Sequence, residues 1–178
     1  MPSCQPVRIE TERLILDAHT IDDFEALAAM WGDPLVVRHI TGRASTAQES
    51  WMRLLRYGGL WPLLGYGFWA VREKSSGRFV GDIGFADFHR QIEPPITGIP
   101  EAGWVLASWA HGRGFASEAL GAALGWLDGR PSIDRSVCLI SPDNTVSIRL
   151  AARHGYSMAT TISFAGEDTR LFTRSRRS

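Results

Sequence analysis

At 178 residues, 44% of them hydrophobic, the chain carries enough apolar material for one domain with a sizeable core. Its 19 Lys and Arg balance 19 Asp and Glu, so no broad attraction to nucleic acid or to an anionic membrane is expected. The N-terminus has no basic stretch leading into an apolar one, and no apolar run is long enough to span a bilayer, so a soluble, cytoplasmic protein is expected.

Residues 8–17 alternate loosely through Ile9, Leu14, Ile15 and Leu16, which predicts a first strand; Cys4 lies ahead of it in a loose N-terminus. Thr20-Ile-Asp-Asp23 has the form of a helix N-cap with an acid three residues on. Phe24, Leu27, Ala28 and Trp31 follow at helical spacing, and Asp33-Pro34 ends that helix. A second helix is expected to open at Ser45, with Gln48 in the capping-box position, and to run to about Gly58. Between them, Arg38, His39 and Arg43 sit on a segment that reads as a loop over a pocket. Residues 66–73 and 79–87 look like strands, and Lys74-Ser-Ser-Gly-Arg78 joins them as an antiparallel hairpin. Tyr57, Trp61, Tyr66 and Trp69 either line an acceptor pocket or, as is commoner at such spacing, fill the core.

A proline-bearing excursion over 91–100 leads into a strand at about 101–107. A helix is expected from Ala116 to Asp128, with Leu120, Leu124 and Leu127 on one side and Gly129-Arg-Pro131 as its stop. Ser136-Val-Cys-Leu-Ile140 is a short apolar strand, so Cys138 reads as a buried free thiol. No zinc-like ligand set is present, and no metal is expected. Pro142-Asp-Asn144 starts a helix ending at His154-Gly155, with Gly155 as a left-handed cap. Strands at 156–162 and about 169–174 follow, and Arg174-Ser-Arg-Arg-Ser178 reads as a frayed tail. The order implies a single α/β domain over 1–178, ordered over about 8–174, with a mixed sheet and helices on both faces.

The stretch Trp104-Val-Leu-Ala-Ser-Trp-Ala-His-Gly-Arg-Gly-Phe-Ala-Ser-Glu-Ala-Leu120 is the most informative. It reads as strand, glycine-bearing turn and helix. Gly112 and Gly114 remove side chains where a ligand must approach the backbone. The turn then presents unpaired N–H groups at a helix N-terminus, a ready site for phosphate oxygens. A Walker A loop ends in Gly-Lys-Ser/Thr, whereas Gly114 is followed by Phe115. A dinucleotide fingerprint needs a third glycine, which Gly112-Arg-Gly114-Phe-Ala-Ser117 lacks. A glycine turn that merely joins strand to helix is the plain alternative.

His111-Gly-Arg-Gly-Phe-Ala116 resembles the Gln/Arg-x-x-Gly-x-Gly/Ala acyl-CoA signature of the GNAT N-acetyltransferase superfamily, and its extension to Leu120 resembles the RimJ/RimL-type branch. Asn144-Thr-Val-Ser147-Ile-Arg-Leu-Ala-Ala-Arg-His-Gly155-Tyr156 is similar to the superfamily's Asn-x-x-Ser/Ala…Gly-Phe/Tyr helix, one strand and one helix later. Thr11-Glu-Arg-Leu14 and Pro100-Glu-Ala-Gly-Trp-Val-Leu106 also resemble the branch, so the likeness covers nearly the whole chain. It implies a mostly antiparallel sheet of about six to seven strands. It also implies acetyl-CoA as cofactor, its pyrophosphate held by backbone amides of His111, Gly112, Arg113, Gly114, Phe115 and Ala116. The resemblance further implies that Leu106, Ala107, Ser108, Asn144 and Ser147 supply the remaining contacts. His111 departs from the signature's Gln/Arg, but main-chain donors matter more there.

Many members carry a Tyr in the second helix that protonates the leaving thiolate; the matching position here is Ala151. The acid is then Ser147, a water or another residue. Ser147 either approaches the CoA sulfur or bonds back to its own helix, and Asn144 is in any case a good cap. Glu101 is the leading base, set against the plain reading of an exposed acid at a strand start; Asp87 and His89 are weaker candidates. Glu118 reads as complementing the helix dipole. The implied reaction is direct attack of a primary amine on the thioester in a ternary complex, with N–H donors around Leu106–Ser108 polarising the carbonyl. Neither cysteine falls at a motif position, which argues against a covalent route. The acceptor is a small amine or a peptide N-terminus, and the missing Tyr keeps a non-catalytic acyl-CoA-binding sensor open. A homodimer is compatible with this reading.

Overall fold

The computed structural model describes residues 6–177, so Cys4 lies outside the described residues. The expected first strand is two: β1 (Ile9–Glu10) and β2 (Leu14–Asp17) pair antiparallel. Thr11 breaks the run, because its N–H donates to the Leu14 carbonyl while its Oγ1 accepts from the Leu14 N–H. α1 (Phe24–Trp31) follows a short helical turn whose Thr20–Asp23 capping box is as expected. α2 (Pro34–Val37) is a single extra turn capped by Asp33, which accepts from the Leu35 N–H.

α3 (Ala47–Leu64) corrects the expectation at both ends. Thr46 rather than Ser45 is the cap, and Glu49 rather than Gln48 closes the box, its carboxylate accepting from the Thr46 N–H at 2.8 Å. The helix then runs past Gly58, through Pro62, to Gly65 in the left-handed conformation. Glycine costs a helix about 1 kcal/mol, but burying Leu60 and Trp61 beyond it returns about 2 kcal/mol each.

β3 (Phe68–Glu73) and β4 (Phe79–Ala86) form the expected hairpin, and β5 (Glu101–Leu106) pairs antiparallel with β4. Then come α4 (Phe115–Asp128), β6 (Arg135–Ile140), α5 (Thr145–Arg153), β7 (Ser157–Phe164) and β8 (Glu167–Ser175). The sheet has eight strands in the order β1-β2-β3-β4-β5-β6-β8-β7, the count exceeding six to seven because the N-terminal run divides. β5 and β6 are its parallel pair, joined by the α4 crossover.

Alternation along the strands sorts the core into two layers. Trp69, Val71, Ile83 and Phe85 pack against Phe115, Leu120 and Leu124 of α4 and Leu150 of α5. Phe68, Ala70 and Val105 face Leu27 and Trp31 of α1 and Leu54 and Tyr57 of α3. Tyr57, Trp61 and Trp69 are therefore core, and Cys138 is a buried free thiol as expected. Trp61, Trp69 and Trp126 meet edge to face with centroids 4.7–5.3 Å apart. The C-terminal end is not frayed at Arg174, whose guanidinium is buried against Asp128 and the His154 carbonyl. Among the described residues no helix is long and apolar enough to cross a membrane.

Candidate active site

The parallel strands β5 and β6 touch only at their beginnings. Glu101 is in register with Val137, whose N–H donates to the Pro100 carbonyl, and among the described residues no further pair joins them. Their C-terminal ends therefore part, and such a crevice at the carboxyl ends of parallel strands is where α/β sheets bind ligands. The Ala107 N–H donates to Val80 of β4, so alternation turns the backbone groups of Ala102, Trp104 and Leu106 toward the split. Leu106 thus offers an N–H there. Its carbonyl already accepts from the His111 Nε2–H at 2.9 Å, which pins the end of the strand to the following loop.

The loop is built for close approach. Gly112 and Gly114 have φ of +72° and +78°, conformations that cost other residues strain, and a Cβ at Gly112 would meet nothing within 4 Å. Gly114 caps α4, and the first helical bond there runs from the Glu118 N–H to the Gly114 carbonyl. The N–H groups of Phe115, Ala116 and Ser117 precede that bond and are left for an outside acceptor. Phe115 is buried as the anchor of the turn, with the Arg13 and Arg113 guanidiniums 4.8 and 4.6 Å from its ring.

Glu118 does more than complement a dipole. It accepts from the Thr11 hydroxyl at 2.6 Å, the Arg13 N–H at 2.8 Å and Arg13 Nε at 2.7 Å, which holds its carboxyl below the usual range despite partial burial. Arg13 also donates to the Arg113 carbonyl, so the β1–β2 turn braces the glycine loop from outside. The Thr11-Glu-Arg-Leu14 motif was visible in the sequence; its partner, 107 residues away, was not. Ser108 is likewise engaged: its hydroxyl on Asp33 is the main reason that carboxyl sits below its ordinary value, and it ties the α1–α2 turn to the end of β5.

On α5, the Asn144 side chain caps the helix by accepting from the Ser147 N–H. Ser147 Oγ accepts from the Trp104 indole N–H at 3.1 Å, a bond from β5 to α5 across the diverging strands. Ser147 therefore does not spend its Oγ on its own helix. Ala151, at the usual Tyr position, is fully buried, and Tyr156 bonds Ser136 in the core at 2.7 Å, where burial pushes its phenol up. Ala151 offers no proton, and Tyr156 spends its hydroxyl elsewhere.

Glu101 is not the exposed strand-start acid of the plain reading. It is 6% exposed, and its two oxygens accept from Arg90 Nε and Nη2 at 2.6 and 2.8 Å. Arg90 comes from the 87–100 connection and went unnoticed in the sequence, since only the folded chain brings it to Glu101. The weaker candidates lie together in that connection: Asp87 accepts from the His89 and Gly98 N–H groups. Strand β5 and helices α4 and α5 thus gather Leu106, the His111–Ala116 loop, Asn144 and Ser147 about one crevice, while Glu101 sits where that crevice closes. Among the described residues no group of acids, histidines and cysteines is arranged to hold a metal.

Comparison with known proteins identifies the family and the fold. Residues 13–157 match the family model described as an acetyltransferase (GNAT) domain. A GnaT-family chain from Bordetella pertussis is 31% identical and superposes with a TM-score of 0.84, over 95% of this chain and 99% of that one. The uncharacterized N-acetyltransferase YoaA of Bacillus subtilis (strain 168) is 26% identical over 152 residues, 83% of this chain and 81% of its own. RimL, a ribosomal L7/L12 alpha-N-protein acetyltransferase solved with coenzyme A, is 17% identical with a TM-score of 0.76, over 95% and 98% of the two chains.

Proposed function

Since the chain belongs to the GNAT acetyltransferase family, we propose that it is a RimJ/RimL-like N-acetyltransferase moving an acetyl group from acetyl-CoA directly to a primary amine in a ternary complex. The wedge between β5 and β6, with a left-handed glycine loop at its mouth, carries this reading. The residues fit the donor substrate. A diphosphate suits the N–H groups at the start of α4, and a linear, amide-bearing arm suits the strand edge that β6 leaves at Trp104 and Leu106.

The chain's own groups then divide the chemistry. The Leu106 N–H is aimed into the split, where it can stabilise negative charge growing on the thioester oxygen. Because the Trp104 indole donates to Ser147 Oγ, the hydroxyl's own hydrogen remains free to bond the departing thiolate and to relay a proton to it, with a water returning that proton to Ser147. The N-terminal end of α5 favours negative charge at that spot. An amine must lose its proton to attack, and Glu101, oriented by Arg90, takes it through a chain of waters along β5. Positioning both substrates supplies the larger part of the rate.

The acceptor in this reading is a small amine. A peptide N-terminus is the second reading, favoured by the RimJ/RimL-type stretch from Ala110 to Leu120. Thiol release from acetyl-CoA, followed across small amines and short peptides, tests both. Amine-dependent release is expected. Tight acetyl-CoA binding without any amine-dependent release would instead make the protein an acyl-CoA sensor.

A further inference from the structure

A groove of about 710 Å³ lies between the 41–46 loop and α3, within the range of about 300–1,000 Å³ typical of small-molecule sites. It lies on the sheet face of Glu101, opposite α4. Arg56 stacks 5.3 Å from the Phe88 ring, and the same ring carries Arg90, which holds Glu101. Arg53 stacks 3.5 Å over Trp31, whose indole donates to Asp82, the β4 partner of Val105. Chains of contacts therefore run from the groove to Glu101 at the start of β5 and, through Trp31 and Asp82, to the strand pairing at Val105.

Part of its positive charge has no direct ion-pair partner among the described residues. Arg43 is paired with Glu49 at 2.5 Å, and Glu49 is further spent on the Thr46 N–H. Among the described residues Arg53 and Arg56 form no ion pair; Arg53 has only a long contact to the Ser45 hydroxyl at 3.4 Å. Burial lowers the Arg53 pKa and the neighbouring Arg56 adds to this, while Tyr57, Asp82 and Glu49 act against it. Two guanidiniums, each stacked on an aromatic ring and neither in a direct ion pair among the described residues, are arranged for a planar anion that accepts from both.

We propose that the acceptor is a primary amine that also bears a carboxylate, held by Arg53 and Arg56 in this groove while its amine reaches the thioester. The proposal rests on the acetyltransferase reading above and narrows it to one substrate class. The same cations disfavour polyamines, whose extra charges would meet them unpaired.

The test compares free amino acids with their own carboxamides, beside spermidine and short acidic peptides with amidated C-termini. A charge-assisted pair predicts that the free acid is favoured over its carboxamide by at least about tenfold in kcat/KM. Arg53→Gln and Arg56→Gln are each expected to bring that ratio to within about twofold, with Arg56→Lys in between, while acetyl-CoA binds with unchanged Kd. The constant Kd shows that the variants are folded. Use of the acidic peptides assigns the carboxylate to a side chain; their rejection assigns it to a free amino acid. Carboxamides or spermidine acetylated as well as the acids, or variants that keep the preference, overturn the proposal and leave the acetyltransferase reading standing. Failure to bind acetyl-CoA, or to acetylate any amine, overturns both.

Discussion

At Gly114 the backbone is left-handed and a Cβ would sit 3.3 Å from Arg13 Nη2, so a bulky side chain there must both strain the turn and fill the mouth of the crevice. Gly114→Trp is therefore expected to abolish acetyl-CoA binding in calorimetry while far-UV circular dichroism still reports a folded chain; unchanged affinity would remove the loop from the site. Glu101→Gln separates a base from a structural ion pair. As a base, Glu101 matters most where the amine is hardest to deprotonate, so the variant should lose rate chiefly at low pH. A rate profile of unaltered shape, with lower thermal stability, would leave Glu101 as nothing more than the partner of Arg90. Ser147→Ala should depress kcat by about 10- to 100-fold with little change in KM, since proton donation to the thiolate is made only in the transition state. If KM rises while kcat holds, Ser147 merely binds.

Among the elements, the site depends on α4 and α5 staying fixed against the sheet, and Arg174 of β8 does this from below. Its guanidinium is 4% exposed, donates twice to Asp128 at the end of α4 and once to the carbonyl of His154 at the end of α5. Arg174→Ala strands that carboxylate and carbonyl, and a loss of about 3 kcal/mol in urea unfolding is expected; under about 1 kcal/mol would mean the pair is solvated in practice. This residue also marks where sequence reading stopped. Repeated Arg and Ser look like a tail, and nothing local announces a partner 46 residues back. The elements that bear the crevice were legible because their signals are local: glycines demanding positive φ, an Asn cap, alternation, and helical spacing from Leu120 to Leu127. The start of α3 was misread by one residue because Ser45-Thr46 and Gln48-Glu49 offer two overlapping boxes, and only the fold chooses. Arg90 on Glu101, Asp33 on Ser108 and Trp104 on Ser147 are contacts between distant segments, and composition says nothing of them.

For the molecule as a whole, the layer beneath α1 and α3 holds a buried titrating pair whose two members act oppositely on stability. His19 Nε2 lies 3.4 Å from Asp82 Oδ1, with side chains 2% and 0% exposed. Around them stand Tyr57, Trp31 and Arg53, together with Asp23 in its ion pair to Arg72. Burial drives the Asp82 carboxyl up to about 7 and the His19 imidazole down to about 4. In the unfolded chain they titrate near their ordinary values of about 3.9 and 6.5. Asp82, raised on folding, contributes stability that is full below pH ~4 and lost as pH rises through ~7; His19, depressed, contributes above pH ~6.5 and loses it as pH falls through ~4. Between those limits each state holds one proton on the pair, on the carboxyl when folded and on the imidazole when unfolded, so the two slopes cancel. Removing either partner uncovers the other. His19→Gln should make stability fall with pH across about 4.5–6.5, and Asp82→Asn should make it rise, each by up to about 1.4 kcal/mol per pH unit. Urea melts at stepped pH read both slopes directly. Parallel slopes in the two variants would mean that the pair does not exchange its proton on folding, and that the charged form survives inside the protein.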